Sequence, residues 1–268
     1  MRLPPILPPA TPPPVTILLL FVAGLIGGAL NSLAGGGSFV VFPALLAAGV
    51  PPVIANASNT YAALPGYASG AIGYWKDVVK YRDRFALYAI IAVIFGYAGA
   101  ELLLHVSDAQ FSYAVPWLIL FAVVLFAFGA RINAFVTARS GTTRGAKALG
   151  AVLLLGLLAA ISVYGGFFNA GLGILLLAFL VLAEIDNIHA ANGLKMVIST
   201  LIALVAVVRF AINGSIDWYH GSIALVGVTI GGYVAARLAY RIPTQVIRWL
   251  VIVYGVALTV FFFWKTYA

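Results

Sequence analysis

Residues 85 to 104 run through twenty positions with a single charged side chain, Glu101, and residues 111 to 130 and 249 to 264 carry none at all. A helix that crosses the ~30 Å hydrocarbon layer needs ~20 mostly apolar residues, so these stretches predict membrane spans. A transmembrane barrel would need ~10-residue strands alternating between apolar and polar faces, whereas these runs are continuously apolar and rich in Leu, Ala and Val. The predicted fold class is therefore all-α and integral to the membrane. Composition agrees: 8% of residues are charged and 63% hydrophobic, with a mean hydropathy of +1.09, which leaves too little polar surface for a water-soluble domain.

The net charge of +8 raises nucleic acid as a partner, but in a membrane protein it records Lys and Arg retained in cytoplasmic loops. Nucleic acid is set aside, and the bilayer itself is the expected partner. The absence of cysteine excludes disulfides, thiolate metal sites and haem attachment. The three histidines, His105, His189 and His220, are too scattered to predict a metal cluster. No cofactor and no metal are expected.

Seven prolines between residues 4 and 14 predict an extended arm over 1–14, with little likeness to a cleaved signal peptide. After it the chain repeats itself. Gly27-Gly28-Ala29-Leu30-Asn31 returns 138 residues later as Gly165-Gly166-Phe167-Phe168-Asn169, and Gly96-Tyr97-Ala98-Gly99 returns 136 residues later as Gly232-Tyr233-Val234-Ala235. The expected organisation is the arm, a first transmembrane repeat over 15–130, a basic linker over 131–147, and a second repeat over 148–268.

Each repeat opens with a glycine-interrupted apolar stretch, 15–50 or 148–183, that is too long for one crossing and too short for two. A broken helix or a pair of half-helices fits. Three spans follow, over 54–75, 85–104 and 110–130 in the first repeat and 187–212, 221–238 and 246–264 in the second. Basic residues fall in three places: Lys76, Lys80, Arg82 and Arg84; Arg131, Arg139, Arg144 and Lys147; and Arg237, Arg241 and Arg248. The matching loops of the opposite repeat lack them. Since Lys and Arg in short loops mark the cytoplasmic side, matched loops of opposite bias predict inverted-topology repeats, with both termini outside and the linker inside. The turn with Glu184, Asp186 and Asn187 has no basic residue and does not contribute to this assignment.

Irregular backbone at membrane depth is tolerated only where it is buried in protein or lines a cavity. Glycine in membrane helices commonly serves close packing, which is the alternative for Gly35, Gly36 and Gly37. Recurrence of the break at Asn169, Gly171 and Gly173 favours a binding role, because paired half-helix ends near the midplane form transporter sites. Free N–H groups of a half-helix starting at Ser38 would attract an anion. Polar residues open the next span in both repeats: Asn56, Ser58, Asn59 and Thr60, and Asn192, Lys195, Ser199 and Thr200. For Ser199 and Thr200, hydrogen bonding between helices explains the residues as well as a site does.

Lys195 lies about two turns inside its span, where a cation is costly without a partner or an aqueous cavity. It is a candidate for pairing with an anion, the alternatives being an ion pair with Glu184 or Asp186, or snorkelling. Glu101, the one carboxylate inside a span, is a weak candidate for ion coupling, with interfacial anchoring as its other role. No Walker A, H-E-x-x-H or G-x-S-x-G pattern is present, which removes ATP-driven transport by this chain and the common hydrolase mechanisms. Movement of a small solute is expected, not its transformation.

The run from Gly27 to Ser38, followed by Phe42-Pro43-Ala44-Leu45 and the segment Asn56 to Thr60, resembles the first repeat of sulfite exporter TauE/SafE proteins. The resemblance implies a multi-pass carrier of the bacterial inner membrane for sulfur-containing oxyanions such as sulfite or sulfonates. A small anionic solute would then meet Asn31, Gly35, Gly36, Gly37, Ser38, Asn56, Ser58, Asn59, Asn169, Gly171, Gly173, Asn192 and Lys195. An anion channel, an uptake carrier for another organic anion, an intramembrane enzyme and an assembly factor are the alternatives, and homo-oligomerisation is left open.

Overall fold

A computed structural model describes residues 13–137, 144–185, 187–238 and 244–268. Residues 1–12 of the predicted arm, the centre of the linker with Arg139, and the residues Asp186 and Arg241 lie outside the described residues, and Pro14, the last residue assigned to the arm, opens the first helix. Those described are helical, with no strand among them.

The elements are α1 (Pro14–Ala34), α2 (Ser38–Ala47), α3 (Pro52–Gly73), α4 (Trp75–Val78), a 3₁₀ turn at Val79–Tyr81, α5 (Arg82–Leu104), α6 (Asp108–Thr137), α7 (Arg144–Phe167), α8 (Leu172–Leu182), α9 (Ile188–Ile212), α10 (Trp218–Leu238) and α11 (Thr244–Tyr267). Among the described residues, α1, α5, α6, α7 and α9 are long and apolar enough to cross a membrane. The chain is an all-α, multi-pass membrane protein. The expected loop after residue 75 is instead a short helix and a 3₁₀ turn, where Lys80 donates to Asp77 at 2.9 Å. That bond and the adjacent ammonium hold the half-buried Asp77 carboxyl below its ordinary range.

Local chemistry sets the boundaries. Pro14 and Pro52 stand at the first position of α1 and α3, where the missing N–H has no helical partner to lose. Asn187 caps α9, its side-chain oxygen accepting from the N–H groups of His189 and Ala190 at 2.9 and 3.0 Å, which satisfies two donors that a helix start leaves unpaired.

Long helices of one half pack against long helices of the other. α1 lies against α10 and α5 against α7, and both contacts depend on glycine. A methyl group at Gly28 would fall 2.1 Å from the Val228 carbonyl oxygen, and one at Gly166 would fall 2.1 Å from that of Gly96. Backbones approach this closely only where a side chain is absent. Gly24 meets Ala224 while Gly28 meets Val228 and Gly232, so α1 and α10 run in the same direction.

Two apolar cores surround the two short helices. Around α2, Phe39, Phe42 and Leu45 are buried with Phe111, Phe168 and Phe262, and the Phe42 ring meets those of Phe111 and Phe168 edge-on at 6.2 and 5.7 Å. Around α8, Leu172, Leu176 and Phe179 are buried with Tyr88, Ile198 and Ile202. Each short helix is thus held by packing on all sides, which fixes the chain breaks that precede it.

Contacts at the helix ends sort them onto two faces. The Val53 N–H donates to Asp108 at 2.8 Å, and Leu46, Pro52, Ser112 and Lys265 line one surface pocket; the end of α2 and the starts of α3 and α6 therefore share a face with the end of α11. On the other face, Tyr74 and Val78 pack against Gly193, which brings the end of α3 beside the start of α9.

Candidate functional site

The interrupted stretches are helical hairpins. α1 ends where Gly35 takes φ 82 and its N–H turns back onto the carbonyls of Leu30 and Asn31 at 3.0 and 3.1 Å, a left-handed cap that suits glycine. α2 then folds back along α1, so that the bare side of Gly27 faces Val41 and the Gly37 carbonyl. In the second half Asn169 at φ 58 and Gly171 at φ 78 make the turn, and Gly165 faces Leu172. Asn is among the few residues with a side chain that tolerate this region.

The two tips meet. A methyl group on Gly35 would lie 3.3 Å from Gly173 Cα, and one on Gly173 would lie 3.5 Å from Cδ of Lys195. Asn31, in the last turn of α1, and Asn169, at the second break, are both buried. Tyr67 of α3 joins them: its hydroxyl donates to Asn169 Oδ1 at 3.3 Å and is hydrogen-bonded by the Asn31 side chain. Asn56 donates to the Phe167 carbonyl at 2.8 Å, satisfying one orphan carbonyl at the end of α7. Tyr164 does similar work at 2.8 Å for the Ala170 carbonyl.

The residues beside the tips follow one register. Asn56 and Asn59 of α3 stand 136 positions before Asn192 and Lys195 of α9. Asn59 lines a small cavity with Asn31, Gly37 and Ser38, and its Nδ2 has no hydrogen-bond partner. Lys195 is 3% exposed and donates to Asn192 Oδ1 at 3.2 Å. Among the described residues no carboxylate lies within ion-pairing distance of Lys195. Glu184, one of the expected partners, is exposed. The Asn56 Oδ1, Asn169 Nδ2 and Ser199 Oγ atoms are also buried without a partner. A buried polar group left unsatisfied costs ~1–3 kcal/mol, and these four atoms bear that cost where no polar partner is supplied.

The sulfite exporter TauE/SafE family model matches residues 20–262. The chain belongs to this family. It is 30% identical to a probable membrane transporter protein of Haemophilus influenzae, over 90% of this chain and 92% of that one. It is 27% identical to probable membrane transporter protein ORF9 of a Sinorhizobium species, over 90% of each chain. To the probable membrane transporter protein YfcA of Escherichia coli K12 it is 25% identical, over 87% of this chain and 84% of the relative. No solved structure matches. The protein is a membrane transporter of the TauE/SafE family.

Not every residue singled out in this TauE/SafE chain gathers at the tips. The Ser58 hydroxyl accepts from the Asp217 N–H at 2.9 Å and so ties α3 to the start of α10. The Gly36 carbonyl accepts from the Phe39 N–H at 3.2 Å and helps shape the turn. Glu101 binds Arg209 through both carboxylate oxygens, the second contact being 3.1 Å, in a bidentate pair between α5 and α9. The ion pair locates Glu101 toward the face shared by residues 105–108, away from Lys195.

Three residues of the tip region carried no sequence signal of their own. Tyr67 and Tyr164 are tyrosines within apolar runs, where a lipid-interface role is the ordinary expectation, and Ser199 was equally explained by helix packing. The signal that finds them is burial of the polar end, visible only once the helices are assembled.

Proposed function

We propose that this TauE/SafE transporter carries small sulfur-containing oxyanions, sulfite or sulfonates, out across the bacterial inner membrane by alternating access about the paired hairpin tips. The observation that carries the reading is Lys195: a buried cation with no carboxylate in reach, its stem against Gly173 where that residue abuts Gly35. A lone charge at membrane depth is costly, and a bound anion would remove that cost. Amide donors of Asn59 and Asn169 stand unpartnered nearby and supply hydrogen bonds to oxyanion oxygens.

In this reading the two halves are inverted copies. The end of α2 shares a face with Asp108 and Lys265, whereas the end of α3, beside the start of α9, belongs to the opposite face, and the parallel run of α1 and α10 agrees with an axis in the membrane plane. The cavity between Asn31, Ser38 and Asn59 measures about 10 Å³, room for about one water, so the tips are closed on each other here and a solute enters only when the halves rock apart.

The test is ligand-dependent thermal stability of the purified protein. An anion at ~100 times its Kd stabilises the folded state by ~2.7 kcal/mol. Sulfite or a small sulfonate is expected to raise the unfolding midpoint of the natural chain and to lose that effect in Lys195→Gln. A midpoint unmoved by every oxyanion, or moved equally in the variant, sinks the proposal.

A further inference from the structure

We infer that the tip site is built for a singly charged oxyanion and discriminates against a dianion, with the neutral side chain of Asn59 setting that limit. The inference rests on the anion-carrier reading above and deepens it.

The register of the repeats carries it. Asn56-x-x-Asn59 on α3 corresponds to Asn192-x-x-Lys195 on α9, so the position that holds a cation in one half holds an amide in the other. Asn59 is 1% exposed, lines the cavity with Asn31 and Ser38, and keeps an unpartnered Nδ2 donor. Lys195 is the one buried charged residue among the described residues. Among the described residues, charged groups on the elements packed here pair with one another, Glu101 with Arg209 and Asp77 with Lys80, while Asp217 bonds the His220 ring.

The site thus offers one positive charge, neutral amide donors on Asn59 and Asn169, and no second cation. A monoanion makes the closed site neutral. A dianion leaves one negative charge uncompensated in a buried environment, where the effective penalty is several kcal/mol, and amide donors do not replace a charge. The duplicated fold has a ready position for a second lysine and does not use it.

The experiment compares two tetrahedral oxyanions of similar size and different charge, methanesulfonate and sulfate, as competitors of sulfite flux by the full-length chain in proteoliposomes. Methanesulfonate is expected to compete at concentrations at least roughly tenfold lower than sulfate. Sulfate competing as well as methanesulfonate, while sulfite flux depends on Lys195, overturns the charge limit and leaves the anion-carrier reading standing. Absence of flux for every anion overturns both. Asn59→Lys supplies the missing charge and is expected to shift the ratio toward sulfate by at least roughly tenfold; an unchanged ratio in a folded Asn59→Lys protein also refutes the assignment to Asn59. Should that variant not fold, the comparison in the natural chain decides alone.

Discussion

Tyr67 shows how much one hydroxyl can carry at this depth. It donates to Asn169, is bonded by Asn31, and so ties the asparagine of the first hairpin to that of the second. Removing it strands a buried acceptor, which costs ~1–3 kcal/mol. Tyr67→Phe is expected to lower the stability of the detergent-solubilised protein by about that much, seen as a lower melting midpoint. An unchanged midpoint would mean that the tips do not rely on this bond. The candidate residues were legible from sequence to different degrees. Asn59 and Lys195 stand in matching register and announce themselves as polar intrusions in apolar spans. Ser58 looked the same by that criterion, yet its hydroxyl is spent on the Asp217 N–H, because a serine's use depends on which neighbour lies within 3 Å, and that is fixed by tertiary packing.

At the scale of elements, the breaks were readable because consecutive glycines cannot be explained by a straight apolar helix. Their form was not. Both a kinked span and a re-entrant hairpin satisfy the same composition, and the choice is made by the side on which Gly27 and Gly165 leave space for Val41 and Leu172. The break also falls later than the polar residues suggest: Asn31 is still helical, since its carbonyl accepts the Gly35 N–H that closes α1. Inverted hairpins make a prediction about sidedness. The chain has no cysteine, so single cysteines can be read without background. Ala47→Cys, at the end of α2, and His189→Cys, in the first turn of α9, both at exposed positions, are expected to react with a membrane-impermeant maleimide from opposite sides of oriented vesicles. Labelling from the same side would show that the hairpins enter from one face and that the repeats are not inverted.

For the whole molecule, charge and glycine do separate jobs. Basic residues gather near the ends of α3, α6 and α10, a pattern that favours the cytoplasmic side for those ends. Glycine lets α1 press on α10 and α5 on α7 at backbone distance, and lets Gly35 meet Gly173 at the tips. The all-α membrane class was visible in the sequence because long apolar runs are a one-dimensional pattern. Paired half-helix ends were expected from the recurring break; that Gly35 and Gly173 are the residues that abut is set by tertiary packing.

The central claim is that an oxyanion crosses the membrane at this junction, held by Asn31 and Lys195. Sulfite flux into or out of proteoliposomes, compared between the natural chain and the double variant Asn31→Ala/Lys195→Gln, tests it most directly. The account predicts saturable flux that falls at least roughly tenfold in a correctly folded double variant; sulfite flux undiminished by both replacements would contradict it.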